Sequence, residues 1–396
     1  MFNNLTNYED DPIEALFKRI GADKSVDKID LGIGVFRDQS GQVPVMQAVV
    51  EAEQQLLKQN ASKSYMSPLG NMDYCADMER SIFGADHEVL QRIVSAQTPG
   101  AGAALRGAAE FVQSLSPKAT VWFGSPCWGH QIEFFERAGL SVKQYRYYNR
   151  AAGKLDFTGM LEDLSALQED DVLLLHGCCH NPTGEDLSLS QWQRIAEVVR
   201  EKRVVPLVDI AYQGFGSGID EDVAGVRLLA GQVPQLILTV SSSKTFGIYR
   251  ERAGLLSIVH QANASADSLR RKLRDTLRQL YFMAPNHGAA IVHEILSSET
   301  LQQLWRDELN AVRHQIVEMR GALKVTLEQV NPSFDASFIQ RQKGMFSCLP
   351  LSAAQQLRME QQHHIYMLPN ARVNVAAMST EQSKALANAF AAIIGE

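Results

Sequence analysis

Between about residue 46 and residue 309 the chain alternates short, β-branched apolar runs with longer stretches of helical periodicity. That alternation restricts it to a mainly parallel sheet covered by helices. Seven runs read as strands: Ile93 to Ala96, Thr120 to Phe123, Val142 to Tyr147, Val172 to Leu175, Val204 to Val208, Leu236 to Val240 and Leu255 to Val259. Trp192, Ile195, Val198 and Val199 mark the apolar face of a helix between them. Pro206 weakens one run, because proline has no N–H to give to a ladder. Ahead of this block come a polar arm, a helix over Pro12 to Ile20 and an extended stretch from Ile29 to Phe36, whose glycines allow close backbone approach. After Leu301 the pattern turns helical, and Asn331-Pro332 should stop a long helix near Val330. Strands and a terminal helix over Ser379 to Ile394 follow. A chain of 396 residues exceeds what one core organises, so two domains are expected, the carboxyl end forming a smaller α+β unit.

The net charge of -7 is spread without acidic or basic blocks and gives no electrostatic reason to expect nucleic acid as a partner. Five cysteines, including the vicinal Cys178 and Cys179 but no C-x-x-C spacing, fit a reduced, cytoplasmic setting. The first residues lack the basic start and apolar core of a signal peptide, and no apolar stretch approaches membrane-spanning length, so neither export nor a membrane is expected.

The segment Ser241-Ser242-Ser243-Lys244, continuing to Arg252 and Ala253, places a lysine just past the carboxyl end of a buried strand. Asp209 and Asn181 follow two other strands in the same way, and in open α/β sheets ligands bind in the crevice outside those ends. Most lysines are solvated surface charges. One that carries pyridoxal phosphate needs an anion for the ring nitrogen and a cradle for the phosphate. Asp209 can supply the anion, although a helix N-cap explains it equally well. Ser241, Ser243 and Arg252 can bind phosphate or form a polar turn with a surface arginine. The turn Thr98-Pro99-Gly100-Ala101-Gly102-Ala103-Ala104 opens a helix and offers free N–H groups to an anion. It is not a dinucleotide fingerprint, since Leu105 replaces the third glycine.

His176-Gly177-Cys178-Cys179-His180 invites a zinc reading, but no second cluster completes a tetrahedral set, so no metal is expected. Arg278 ends an amphipathic run that enters Tyr281-Phe282-Met283-Ala284-Pro285, and Arg372 opens a strand-like run; alone, each reads as a surface arginine. Ser241-x-x-Lys244 also fits the S-x-x-K arrangement of acyl-enzyme hydrolases, without the K-T-G and S-D-N elements that accompany it.

Taken together, these segments resemble the fold-type I aminotransferases, most closely the aspartate and aromatic aminotransferase group. The match runs from Leu31-Gly32-Ile33-Gly34-Val35 through Gln97 to Gly100, His176 to Gly184, Asp209 to Phe215 and Ser241 to Arg252, to Arg372 to Met378. The resemblance implies a homodimer with shared active sites, a large cofactor domain over 46–309, and a small domain from both chain ends, 12–45 and 310–396, behind an arm over 1–11. It implies pyridoxal 5'-phosphate as cofactor, and an amino acid and a 2-oxo acid as substrates. Lys244 matches the residue that holds the cofactor and moves the proton, Asp209 the partner of the ring nitrogen, Tyr212 and Asn181 the donors to the ring oxygen, and Trp128 the stacking aromatic. Ser241, Ser243, Arg252 and the turn at Gly100, Ala101 and Gly102 match the phosphate site, which Tyr65 reaches from the neighbouring subunit. Arg372, helped by the Gly34 backbone, matches the anchor for the substrate α-carboxylate, and Arg278 the arginine that crosses the interface to a distal carboxylate.

Several positions depart from the family's pattern. Gly102 stands where a threonine or serine usually contacts the phosphate. Gln131 stands where a histidine usually supports the aspartate, with His130 one position earlier. Phe282 and Met283 replace a polar pair after Tyr281, which makes the pocket mouth more apolar and favours aromatic side chains, while Arg278 is kept. The expectation is a transaminase for aromatic or acidic amino acids. A specialised donor, or a cofactor-binding protein without turnover, is the alternative.

Overall fold

The computed structural model describes residues 11–38, 40–261 and 265–394, so most of the expected amino-terminal arm lies outside the described residues. Its centre is a seven-stranded sheet of β1 (Ile93–Pro99), β2 (Thr120–Ser125), β3 (Ser141–Arg146), β4 (Val172–His176), β5 (Val205–Ile210), β6 (Leu236–Ser241) and β7 (Ala253–Val259), in the spatial order β1-β7-β6-β5-β4-β2-β3. All pairs are parallel except those of β7, which runs antiparallel to both β1 and β6. The inner strands are buried on both faces and read as continuous apolar runs for that reason.

The mainly parallel sheet and the smaller unit built from the chain ends are both present. Pro206 is accommodated inside β5. Val205 N donates to Asp171 O on the β4 side, so the proline nitrogen faces β6, where pairing begins one residue later at Leu207↔Ile237. β1 extends past Ala96 because Gln97 and Thr98, although polar, are fully buried opposite Leu255 and Gly254. The extended stretch after Ile29 contributes only Ile29–Asp30 as strand, paired in parallel with Ile365–Tyr366; Phe346–Cys348 pairs antiparallel with Arg372–Asn374.

Five helices position the site: α1 (Pro12–Ala22), α2 (Gly100–Leu115), α3 (Gly129–Arg137), α4 (Ala266–Tyr281) and α5 (Glu299–Val330). Asp11 caps α1 through Ile13 N at 2.8 Å. The 32-residue α5 ends at Val330, where Asn331-Pro332 was expected to stop it. At one end its Trp305 donates to Thr245 O at 2.9 Å and stacks on Phe246, with ring centroids 4.6 Å apart. Farther along, the buried Arg320 donates to the carbonyls of Ile339, Gly344 and Phe346 at 2.9, 2.7 and 2.6 Å, and to Ser347 Oγ at 2.8 Å. No helix among the described residues is long and apolar enough to cross a membrane.

Candidate active site

The carboxyl ends of β2, β4, β5 and β6 open onto one cavity of about 280 Å³. Because β7 is reversed, its first residues arrive at this same edge and deliver Arg252, which an all-parallel sheet would have placed on the far side. Lys244, Asp209, Tyr212, Asn181, Trp128, Ser241, Ser243, Arg252, Ala101, Gly102, Gly34 and Arg372 all line the cavity.

Lys244 follows β6 on a loop held by three contacts. Tyr74 Oη and Ser242 Oγ lie 2.8 Å apart, Thr245 Oγ1 donates to Gln213 O at 3.0 Å, and Trp305 grips Thr245 O. The ammonium lies 5.2 Å from the centroid of the Tyr212 ring. Burial pulls its pKa down to about 8; Asp209 opposes the shift, while Arg252 and Arg372 add to it.

Asp209 belongs to a polar row that crosses the sheet, because His176 on β4, Asp209 on β5 and Thr239 on β6 are register partners and face one side. Its Oδ1 accepts from Thr239 Oγ1 and its Oδ2 from Gln131 Nε2, both at 2.7 Å. Burial raises its pKa, and the Thr239 and Gln131 hydrogen bonds and Lys244 hold it down. The departure at position 131 is thereby accounted for: Gln131, fully buried on α3, supports Asp209. His130 turns away and meets Asp11 Oδ2 at 3.0 Å.

At the start of α2, Pro99 offers no side-chain cap, so the helix presents free N–H groups toward the cavity. Gly100, at φ +77°, does not itself line the cavity, but a Cβ there would lie 2.2 Å from Arg252 Nη2. Gly254 on β7 makes the same approach from behind, since its Cβ would meet the Gly100 carbonyl carbon at 2.6 Å. Arg252 donates to Ser243 Oγ at 3.3 Å and Tyr249 O at 3.0 Å, and among the described residues it meets no carboxylate. At Gly102 the nearest atom to a Cβ would be Phe134 Cζ at 3.5 Å, an ordinary van der Waals contact, so no close approach requires the glycine there.

Arg372 is only 5% exposed, yet it has no acidic partner among the described residues. Its Nη1 donates to Asn181 Oδ1 at 3.0 Å and its Nη2 to Gly32 O at 2.5 Å, and its guanidinium lies 4.1 Å from the Phe346 ring centroid. Its Nε has no partner. Sequence reasoning missed Phe346, whose only signal is an apolar residue ahead of a short strand-like run.

Tyr65 and Arg278 lie outside this cavity. Tyr65 is 84% exposed, its ring 6.0 Å from that of Phe282, and the exposed Arg278 sits 5.5 Å from the same Phe282 ring. Phe282 takes φ +66°, ψ -61°, and Met283 N donates to Tyr281 O at 2.8 Å, which is the strained form of the γ-turn. Cys178, Cys179 and Asp222 bring sulfur and oxygen atoms within 4.8 Å of one another, but Asp222 is already taken up by the amides of Gly214, Gly216 and Ser217.

The model of the family "Aminotransferase class I and II" matches residues 26–390. The chain belongs to this family. Within it, the chain is 39% identical over 393 residues to the tyrosine aminotransferase of Rhizobium meliloti, covering 99% of this chain and 100% of that one. It is also 39% identical over 396 residues to the aspartate aminotransferase of Salmonella typhi, covering all of both. Among solved structures, an aromatic-amino-acid aminotransferase from Burkholderia pseudomallei, covalently bound to pyridoxal phosphate, superposes with a TM-score of 0.96 at 36% identity, covering 99% of each chain. Membership in the class I and II aminotransferases displaces the S-x-x-K hydrolase reading.

Proposed function

We propose that this aminotransferase uses pyridoxal 5'-phosphate to move the amino group of an aromatic or acidic L-amino acid, such as tyrosine, phenylalanine, aspartate or glutamate, to a 2-oxo acid such as 2-oxoglutarate. The observation that carries the reading is the pair of arginines without acids. Arg252 and the buried Arg372 face one cavity, neither makes an ion pair with a carboxylate among the described residues, and Arg372 keeps an unpaired Nε. Two anions are wanted there, and a phosphate and an α-carboxylate fit. Gly100 supports the same fit, since any side chain at that position would press on Arg252.

In this reading Ser241, Ser243, Arg252 and the amides at Gly100, Ala101 and Gly102 would hold the phosphate, Trp128 would cover the ring, Tyr212 and Asn181 would donate to its oxygen, and Asp209 would hold its nitrogen. When bound, the cofactor supplies an electron sink for the charge left behind by the departing α-proton. Lys244 would hold the cofactor and, once free of it, would carry that proton. With a pKa near 8 its amine has an appreciable neutral fraction near neutral pH, as a base must. Arg372 forks onto the α-carboxylate, with the Gly34 backbone beside it.

The substrate range rests on the surface group. Tyr65 and Arg278, which lie outside the active-site cavity of their own protomer, serve the site of a second copy in a homodimer, Tyr65 at the phosphate and Arg278 at the distal carboxylate. Phe282 and Met283 make the surroundings of Arg278 apolar, which suits an enzyme accepting both aromatic and acidic side chains. Equal identity to a tyrosine and an aspartate enzyme agrees with that breadth. The five unpaired cysteines support a cytoplasmic setting.

The test is single-turnover spectroscopy of the reconstituted protein. L-tyrosine, L-phenylalanine, L-aspartate and L-glutamate, added one at a time, should each convert the visible absorbance to that of the amine form of the cofactor. Conversion by only one of them makes this a specialised enzyme; no change with any of them makes it a binding protein without turnover.

A further inference from the structure

The hydrogen bonds around Asp209 fix the direction of every proton in a chain of three residues. Asn181 N can only donate, and it reaches His176 Nδ1 at 3.2 Å, so that ring nitrogen carries a lone pair. The proton of the neutral ring is then on Nε2, which lies 2.9 Å from Gln131 Oε1. With its oxygen engaged, the Gln131 amide turns its NH₂ to Asp209 Oδ2 at 2.7 Å. Each link donates toward the carboxylate, and aligned links of this kind polarise one another. A protonated His176 would point an N–H at the Asn181 N–H, so the arrangement excludes that state. Burial acts in the same direction, pulling the His176 pKa down to about 4.

We propose that Gln131 is a positioning residue: its amide carries the polarity of the Asn181 amide and the His176 ring onto Asp209, and fixes that carboxylate in its charged form with no proton of its own to lose. This rests on the reading of Asp209 as the group that holds the cofactor's ring nitrogen. The groups facing Asp209 are Thr239 from β6, Gln131 from α3, Lys244 from the loop after β6, and Tyr212, which follows its own strand. Neither donor in direct contact with the carboxylate, a hydroxyl and an amide, titrates in the physiological range. His176, its register partner on β4, reaches it through Gln131, and His180 packs on that ring with centroids 4.4 Å apart; burial keeps both imidazoles neutral. Asp209 therefore has no contacting donor whose charge changes near neutral pH, whereas an imidazole at position 131 would bring a titratable group into direct contact with it.

The experiment compares wild type with Gln131→Leu and Gln131→His. Its first readout is the Asp209 carboxyl ¹³C resonance of the cofactor-free protein, followed against pH. Its second is the visible band of the protein reconstituted with pyridoxal 5'-phosphate. In Gln131→Leu, Asp209 loses one of its two donors and should become a weaker acid by about tenfold to a hundredfold. The single-turnover rate should fall by a similar factor while the apparent affinity for the amino acid, set by Arg372, stays within about twofold. Gln131→His should restore the acidity of Asp209 but add a second pH-dependent step to the visible band. An Asp209 titration in Gln131→Leu that matches wild type overturns the assignment. So does a Gln131→His band with no added step, which carries the test alone if the leucine variant does not fold. A wild-type protein that forms no visible band removes this assignment and the functional reading together, whereas variants indistinguishable from a band-forming wild type remove this one alone.

Discussion

Lys244 is held at a cost to the fold. Its folded pKa, about 8, lies below the ordinary lysine value of 10.5, so between the two the unfolded chain still holds a proton that the folded chain has released, and stability rises with pH across that window. Below it the full penalty of the buried ammonium is present. Denaturant melts of the cofactor-free protein should therefore show wild type gaining on Lys244→Met as the pH climbs from 8 toward 10.5, and parallel curves would contradict the burial argument. The companion expectation is chemical: Lys244→Ala should lose multiple turnover altogether while its far-ultraviolet circular dichroism stays that of wild type. Retained turnover would remove Lys244 from the mechanism. The lysine was legible because it breaks an apolar strand among hydroxyls. Thr239 was not legible as a partner of Asp209, and Gln131 only through the family's pattern, because that role comes from cross-strand register and from where α3 packs, and neither is written in local periodicity.

At the scale of elements, the strands could be read because the inner ones are buried on both faces and so remain uninterrupted apolar runs. Hydropathy failed where burial is polar, as at Gln97 and Thr98 in β1, and where close packing replaces pairing, as in the irregular chain after Asp30. Helix ends were legible from their stop signals, α5 among them. That helix also contains Gly321, directly after Arg320, where a Cβ would meet nothing within 4 Å. Nothing in the structure uses its freedom, so Gly321→Ala should stabilise the protein by about 0.4–1 kcal/mol, read as a higher melting temperature with unchanged activity. A loss of stability would mean that α5 needs to bend at this point.

For the whole molecule, the residues hardest to read were Tyr65 and Arg278, since nothing within one protomer explains an exposed tyrosine and arginine gathered on a strained phenylalanine. Only the family resemblance gave them a role, and that role needs a second copy. If Arg278 forks onto the distal carboxylate as proposed, Arg278→Ala should cut kcat/KM for aspartate and glutamate far more than for phenylalanine, by at least about tenfold. Equal losses for both classes would remove Arg278 from substrate recognition. The boundary expected near residue 309 falls inside α5, which runs unbroken from Glu299 to Val330. Trp305 on that helix grips the loop of the reactive amine, and Arg320, fifteen residues or about 22 Å farther along, clamps the wall that backs Arg372. Lys244 and Arg372 thus hang from one beam. A shift of that beam would therefore be felt at both groups at once.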